Sequence, residues 1–313
     1  MLSGVRVLDC SDESGWLAGR ILADLGADVV KVEPPGGDRA ARRGPYLGGR
    51  EDPERSLPWL AFQAGKRGIT LDGARPVAQR ALARLLDWAD VLLETFTPAE
   101  RARWRLEPER VAREHPRLVH CSLTPFGCTG PWAGWRAGDL VAVALGGSAA
   151  LTGDPDRPPV RCTLPTSWLH AGPEAALAVL MALQARVRTG RGRHVDVSIH
   201  ESQLQTLLGA PGLAAHDGWR LRRSARRAPP ELCNDAPALV AHPQLRARGA
   251  FTTLALAEPG AALALPGAFA RSSRHRIGPR RRAPRTGEHQ EEVFAAAGVP
   301  PAELEKLAAE GAV

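Results

Sequence analysis

The first 38 residues alternate between two hydrophobic periods, and this alternation restricts the fold more than any other feature of the chain. Val5 to Asp9, VRVLD, has apolar residues at every second position, which is typical of a β-strand. Gly15 to Ala27 repeats its apolar residues at helical spacing, and Asp28 to Glu33, DVVKVE, predicts a second strand. Together these segments predict a β-α-β unit of the usual ~30 residues.

The same alternation continues downstream. Helical patterns at residues 81–89 and 108–116 are each followed by a strand pattern, at residues 90–96 and 117–123. Alternating helices and strands predict an α/β fold, a Rossmann-like parallel sheet with helices on both faces. We expect a ligand of such a sheet to bind at the carboxyl ends of its strands.

The stretch PTSWLHAGPEAAL, residues 165–177, leads into a long alanine-rich helical pattern. Pro173 suits the first helical position, where its missing N–H costs nothing. The pattern continues to Arg188, and Gly190 supplies a glycine stop before a buried strand pattern at residues 194–199. The sequence therefore predicts a helix that begins near Pro173.

Trp168, His170 and Glu174 lie at or just before this predicted helix amino terminus. The free N–H groups and the dipole of a helix start favour negative charge, so a carboxylate or a thioester oxyanion would be stabilised there. Ordinary structural roles are the favoured alternative for His170 and Glu174. His170 could cap or pack at the helix entrance, and Glu174 could be a first-turn acid that complements the dipole.

Composition and cysteine spacing limit the classes of function. The formal charge of +7 is carried almost wholly by arginine, because the chain has three lysines. No apolar run is long enough to span a bilayer, and the first residues lack the build of a signal peptide, so we expect a cytoplasmic protein with no membrane partner. Five cysteines are scattered singly, which predicts neither a disulfide framework nor a metal site. No dinucleotide, phosphate-loop or nucleophile-elbow motif is present.

Several longer motifs, in a fixed order over about the first 215 residues, resemble the class III CoA-transferases, the CaiB/BaiF family. The segments are RILADLGADVVKVEPPGGD (20–38), GKRGITLD (65–72), ADVLLETFTP (89–98), SLTPFGCTGPWAGW (122–135), LTGDPDRPPVR (151–161) and ARVRTGRGRHVDVSIHES (185–202).

The resemblance implies an enzyme that moves coenzyme A between carboxylic acids, built as an interlocked homodimer of large Rossmann-like domains and smaller second domains. It divides this chain into a large domain at residues 1–215, a shortened remnant of the small domain with a linker at 216–250, and a segment at 251–313 that returns to the large domain. The chain is then a shortened member, with its small second domain largely deleted. No metal is implied.

The resemblance also implies a set of residues that contact coenzyme A, the (co)substrate. These residues are Glu13, Ser14, Lys66, Arg67, Thr95, Phe96, Arg103, Trp104 and Arg136. Cationic side chains suit the phosphates, and an aromatic edge suits the adenine. Taken singly, Lys66 and Arg67 could be solvated turn charges, and Phe96 could belong to the core.

The family pattern places a nucleophilic aspartate where this chain has Trp168. That aspartate attacks an acyl-CoA to give an anhydride and then an aspartyl thioester, and an indole cannot do so. The histidine of related racemases corresponds to Gly138, so proton-transfer chemistry is not restored either. His170, as a general base, and Glu174 are the neighbours that could substitute. Asp139 also lies in a family motif, where it looks structural.

Three functions follow as hypotheses. The first is a family enzyme with altered chemistry that acts on an acyl-CoA or a carboxylic acid. The second is a CoA-binding subunit without its own nucleophile, in a heteromer with a complete paralogue. The third and weakest is an arginine-rich nucleic-acid-binding protein. Residues 271–285 offer only charge for that role, without interleaved aromatic residues. Further arginines in the region of the remnant are Arg222, Arg223, Arg226 and Arg227.

Overall fold

The computed structural model describes residues 1–152, 157–207, 236–258 and 260–313. Its centre is a six-stranded sheet with the strands β1 Arg6–Cys10, β2 Asp28–Glu33, β3 Arg67–Thr70, β4 Val91–Glu94, β5 Val119–Thr124 and β6 His194–Ser198. The strand order is β3-β2-β1-β4-β5-β6, and every neighbouring pair is parallel. The predicted parallel sheet is therefore confirmed. A separate antiparallel pair consists of β7 Phe251–Ala255 and β8 Ala262–Pro266.

Helices cover both faces of the sheet, as predicted. They are α1 Trp16–Asp24, α2 Leu57–Phe62, α3 Gln79–Trp88, α4 Pro98–Trp104, α5 Pro108–Glu114, α6 Asp139–Leu145, α7 Thr166–Thr189, α8 Ile199–Gln205, α9 Ala236–Ala241, α10 Pro243–Ala247, α11 Gln290–Ala296 and α12 Pro301–Ala309. No helix among the described residues is long and apolar enough to cross a membrane.

Two hydrophobic cores lie on opposite faces of the sheet because side chains along a strand alternate in direction. Val7 packs into the core beneath α1 and α7, and its neighbour Leu8 packs into the core beneath α3, α11 and α12. Helices α1 and α7 approach closely at Gly172, where a Cβ atom would lie 2.9 Å from the Cβ of Leu17. A larger residue at Gly172 would force the two helices apart.

Residues 287–313 pack beside β3 and complete the second of these cores. The amide of Thr70 donates to the Gln290 side chain at 2.8 Å, and the amide of Asp72 donates to the carbonyl of Ala312 at 2.8 Å. Phe294 and Leu307 are fully buried. The domain boundaries stay a prediction, and most of the proposed remnant at residues 216–250, namely residues 216–235, lies outside the described residues.

Helix α7 begins seven residues earlier than the sequence predicts. The predicted start at Pro173 is wrong, because the helix starts at Thr166 and Pro173 lies inside it. Its first turn is fixed from outside the helix, since the amide of Ser167 donates to the Asp139 carboxylate at 3.0 Å. The exposed Pro173 cannot donate to the carbonyl of Leu169. The predicted stop is confirmed, because Gly190 caps the helix with φ at 68°.

Candidate functional site

A cleft of about 520 Å³ opens at the carboxyl ends of β1, β4 and β5, where the sheet topology places a ligand. We call it the carboxyl-edge cleft. Most of its wall comes from the segments that follow these three strands and from the first turn of α7, and Arg43 and Ile199 are added from the segments that follow β2 and β6. The residues that line it are Asp12, Glu13, Ser14, Arg43, Thr95, Phe96, Thr97, Glu100, Thr124, Pro125, Ala133, Trp135, Arg136, Ala137, Gly138, Val141, Trp168 and Ile199.

The segment after β1 is held against the segment after β4. Ser14 donates to the Asp12 carboxylate from its amide at 3.0 Å and from its hydroxyl at 2.6 Å. The amide of Asp12 in turn donates to the Thr95 hydroxyl oxygen at 2.8 Å. Glu13 pairs with Arg43 at 2.8 Å. Partial burial raises the pKa of the Glu13 carboxyl, and the negative charge of Asp12 raises it further.

The segment after β4 is fixed by a buried carboxylate. The amide of Phe96 donates to Glu94 at 2.6 Å, and Arg101 pairs with the same carboxylate at 3.1 Å. Burial alone would raise the pKa of Glu94, but bonds and charges from His120 and Arg101 outweigh it and hold that pKa below its usual range. Helix α4 then starts with a capping box between Thr97 and Glu100. The backbone of Phe96 is therefore held in place at the cleft wall.

Two of the predicted CoA contacts on α4 lie beside the cleft and not on its wall. The ring of Trp104 packs on Phe96, with ring centroids 4.9 Å apart. It also covers Gly73, where a Cβ atom would lie 2.5 Å from the indole. Trp104 thus supports Phe96 from behind. Arg103 is exposed on the same helix.

Lys66 and Arg67 do not line this cleft, so their contact with a CoA phosphate stays a prediction. The Lys66 ammonium is fully buried and lies 2.7 Å from the equally buried Asp9 carboxylate. Burial lowers the pKa of Lys66, and the attraction of Asp9 opposes that change. Arg67 opens β3, so it lies at the amino edge of the sheet. There it pairs with Asp28 at 2.5 Å and with Glu292 at 3.2 Å.

Trp168 occupies the first turn of α7 and lines the carboxyl-edge cleft. Behind it, the Asp139 carboxylate accepts hydrogen bonds from the amide of Ser167 at 3.0 Å and from its hydroxyl at 2.7 Å. Asp139 also pairs with Arg161 at 3.2 Å, and it is 6% exposed. Asp139 is thus the carboxylate that accepts a hydrogen bond from a free amide in the first turn of α7. It is already bound to the amide and hydroxyl of Ser167 and to Arg161.

His170 and Glu174 do not join Trp168 on the cleft wall. His170 is exposed, and Glu174 accepts a hydrogen bond from the Ser202 hydroxyl of α8. That bond joins α7 to α8. Of the predicted site residues, the cleft collects Glu13, Ser14, Thr95, Phe96, Arg136 and Trp168.

Sequence reasoning missed Asp12, Arg43 and Trp135, which also line the cleft. Asp12 lies shortly after the carboxyl end of the first predicted strand. Because ligands of a parallel sheet bind at that edge, its position could have marked it as a cleft residue. Trp135 lies in the segment GPWAGWRAGD that follows β5, where two tryptophans stand close together in the sequence. Arg43 has no comparable signal. No group of three or more metal-ligating side chains occurs within the described residues.

Comparison with known proteins gives a consistent result. Residues 2–224 match the family model described as CoA-transferase family III. The chain is 36% identical over 225 residues to succinyl-CoA:(R)-benzylsuccinate CoA-transferase subunit BbsE of Thauera aromatica, covering 72% of this chain and 54% of that protein. It is 38% identical over 207 residues to succinyl-CoA–D-citramalate CoA-transferase of Chloroflexus aurantiacus, covering 65% and 50%. The chain spans about half the length of these curated relatives.

The fold also matches a solved structure. A CAIB/BAIF family protein from Brucella suis superposes with a TM-score of 0.81 at 23% identity, covering 95% of this chain and 99% of that one. At this identity the likeness concerns the fold. Together with the match over residues 2–224, it confirms the resemblance seen in the sequence motifs. The chain therefore belongs to CoA-transferase family III.

Proposed function

We propose that this chain binds a CoA thioester in the carboxyl-edge cleft. The observation that carries the proposal is the convergence there of residues from the segments after β1, β4 and β5. Glu13, Ser14, Thr95, Phe96 and Arg136 are the contacts that the family motifs indicate. Arg136 and Arg43 supply cations for phosphates, and Phe96, supported by Trp104, supplies an aromatic surface. The named activities of its relatives on succinyl-CoA support a thioester ligand.

We expect calorimetric titration to detect binding of CoA and of acetyl-CoA by the purified chain. Arg136→Ala should weaken both affinities about tenfold, because it removes one charge-assisted contact to a phosphate. Arg80 is exposed on α3 and outside the cleft wall, so Arg80→Ala is the matched control and should leave both affinities unchanged. Absence of heat for both ligands would overturn the proposal, and so would equal weakening by the two variants.

We do not propose the covalent step of the family, in which an aspartate attacks the acyl-CoA, because Trp168 stands at the position of that aspartate. Asp139 is held by Ser167 and Arg161, and Glu174 is held by Ser202. Neither carboxylate is free to attack a thioester in the cleft. His170, exposed and outside the cleft wall, lacks the reach that a general base needs. We therefore infer binding of the thioester without an acyl-enzyme intermediate on this chain.

A second candidate function is that of a CoA-binding subunit beside a complete paralogue. Helices α6, α7 and α8 expose large apolar side chains, a surface that in soluble proteins marks an interface. These side chains are Leu140, Leu145, Leu177, Met181 and Leu204, each at least 47% exposed. Two relatives are named as subunits, BbsE and the β subunit of succinyl-CoA–L-malate CoA-transferase.

We expect the purified chain to be dimeric, or to form a heteromer when expressed with a full-length paralogue, because either state buries these apolar side chains. Light scattering measures the mass directly. Met181→Glu, which puts a charge at the centre of α7 on a side chain that is 66% exposed, should shift the mass towards the monomer. A wild-type chain that stays monomeric at tens of micromolar, both alone and with the paralogue, would contradict the expectation.

A further inference from the structure

A stack of aromatic side chains borders the carboxyl-edge cleft. The indoles of Trp132 and Trp135 lie 5.4 Å apart at 20°, which is a stacked arrangement. Phe126 meets Trp132 edge-on at 5.4 Å, and His200 meets Phe126 edge-on at 5.8 Å. We call Phe126, Trp132, Trp135 and His200 the aromatic shelf. Each ring is supported by its neighbour, so the outermost ring, Trp135, is held in position.

The aromatic shelf leaves an unusually large apolar area open. Trp135 is 57% exposed and Trp132 is 36% exposed, although indoles are mostly buried in folded proteins. Trp135 is also a wall residue of the cleft, where Trp168 and Val141 add further apolar surface. The shelf and the cleft are thus one continuous surface, and the shelf forms its aromatic end.

Gly138 leaves space on the same wall. It precedes α6 with extended backbone angles, φ at −90° and ψ at −178°, which any residue can adopt. A Cβ atom at Gly138 would meet no heavy atom within 4 Å. Neither the backbone nor the packing therefore requires glycine here. Gly138, three residues after Trp135 in the sequence, therefore leaves open space at the cleft wall.

We propose that the aromatic shelf selects the acyl group, and that the preferred ligand is the CoA thioester of an aromatic carboxylic acid. The proposal rests on the proposed function, since it assigns the acyl end of a CoA thioester. A flat ring fits the space at Gly138 and stacks on the indole of Trp135, an arrangement that aromatic pairs prefer. Trp168 lines the same wall at the position of the family aspartate, so this is the end at which a thioester carbonyl lies. The adenine belongs at the opposite end of a bound CoA.

The test compares CoA, acetyl-CoA and phenylacetyl-CoA by calorimetric titration of the whole chain. The wild-type protein should bind phenylacetyl-CoA about tenfold more tightly than acetyl-CoA, the increment expected of one good ring stack. Trp135→Ala should abolish that preference and leave the affinity for CoA within about twofold, while Trp135→Phe should retain most of the preference. Gly138→Leu should fill the space and reverse the preference. Gly134→Leu is the matched control, since Gly134 is exposed, lies outside the cleft wall and also has no heavy atom within 4 Å of a Cβ.

The outcomes separate this proposal from the proposed function. Equal affinities for acetyl-CoA and phenylacetyl-CoA, with clear binding of CoA, would overturn the assignment of the shelf and leave the CoA site standing. Equal weakening of all three ligands by Trp135→Ala would also overturn it, because the indole would then contact the CoA moiety. Failure of all three ligands to bind would overturn both proposals.

Discussion

Lys66→Met should lower the free energy of unfolding by about 3–5 kcal/mol, the usual cost of removing one partner from a buried ion pair. The substitution removes the ammonium group that pairs directly with the Asp9 carboxylate, in a site where both side chains are 0% exposed. Burial alone would raise the pKa of Asp9, and the ammonium groups of Lys66 and Lys31 outweigh that effect. Urea unfolding followed by circular dichroism measures the loss.

Lys306→Met is the matched control for this prediction. Lys306, on α12, is 68% exposed and lies 3.9 Å from Glu310, so the control should change the free energy of unfolding by less than about 0.5 kcal/mol. Asp9→Leu combined with Lys66→Met should recover part of the loss, because the double change leaves no unpaired buried charge. A Lys66→Met protein as stable as the wild type would contradict the prediction. So would a folded Lys66→Met protein that has lost only its affinity for CoA.

The second large effect concerns covalent chemistry at Trp168. The wild-type chain should form no hydroxylamine-sensitive adduct with an acyl-CoA, and Trp168→Asp should form one. The new carboxylate would attack the thioester carbonyl, break the carbon–sulfur bond and release the CoA thiolate, leaving an acyl anhydride on the protein. The first turn of α7 favours the ionised carboxylate, and Arg161 already offsets the charge of neighbouring Asp139. Intact-protein mass spectrometry detects the adduct.

Trp168→Asn is the matched control, because it has the size of aspartate without a nucleophilic carboxylate, and it should stay free of adduct. We expect hydrolysis to exceed transfer in Trp168→Asp, since the predicted loss of most of the small domain leaves the intermediate open to water. An adduct on the wild-type chain, mapped to Glu174, Asp139 or a cysteine, would show that the nucleophile lies elsewhere.

Much of the sheet was predictable from hydrophobic periods alone. Strand β2 was predicted with the same bounds, Asp28–Glu33, because each of its side chains is restricted by burial and by flanking turns. The start of α7 was not predictable in this way. It is set by Asp139, 27 residues before Thr166 in the chain, and a local pattern contains no information about such a distant cap.

The family motifs indicated Ser14, Thr95 and Phe96, and these residues line the cleft in the segments after β1 and β4; their contact with CoA stays a prediction. The motif GKRG does not contribute to the cleft, because Arg67 opens a strand and lies at the edge of the sheet opposite the cleft. The burial of Lys66 could not be predicted from a local motif, since its partner Asp9 is 57 residues away in the chain. The role of Trp135 in the cleft depends on a stack with Trp132 that only the folded backbone reveals.

The packing of residues 287–313 beside β3 means that one core of the sheet is completed by the last part of this sequence. The bond between Thr70 and Gln290 closes a loop across 220 residues, and loop closure of that length must be compensated by burial that comes only afterwards. Until Phe294 and Leu307 pack against the sheet, the face that they cover stays open to water. A nascent chain at that stage presents the kind of surface that chaperones bind and that aggregates share. Synthesis of this protein therefore includes an interval in which most of the sheet is translated and one of its two cores is still incomplete.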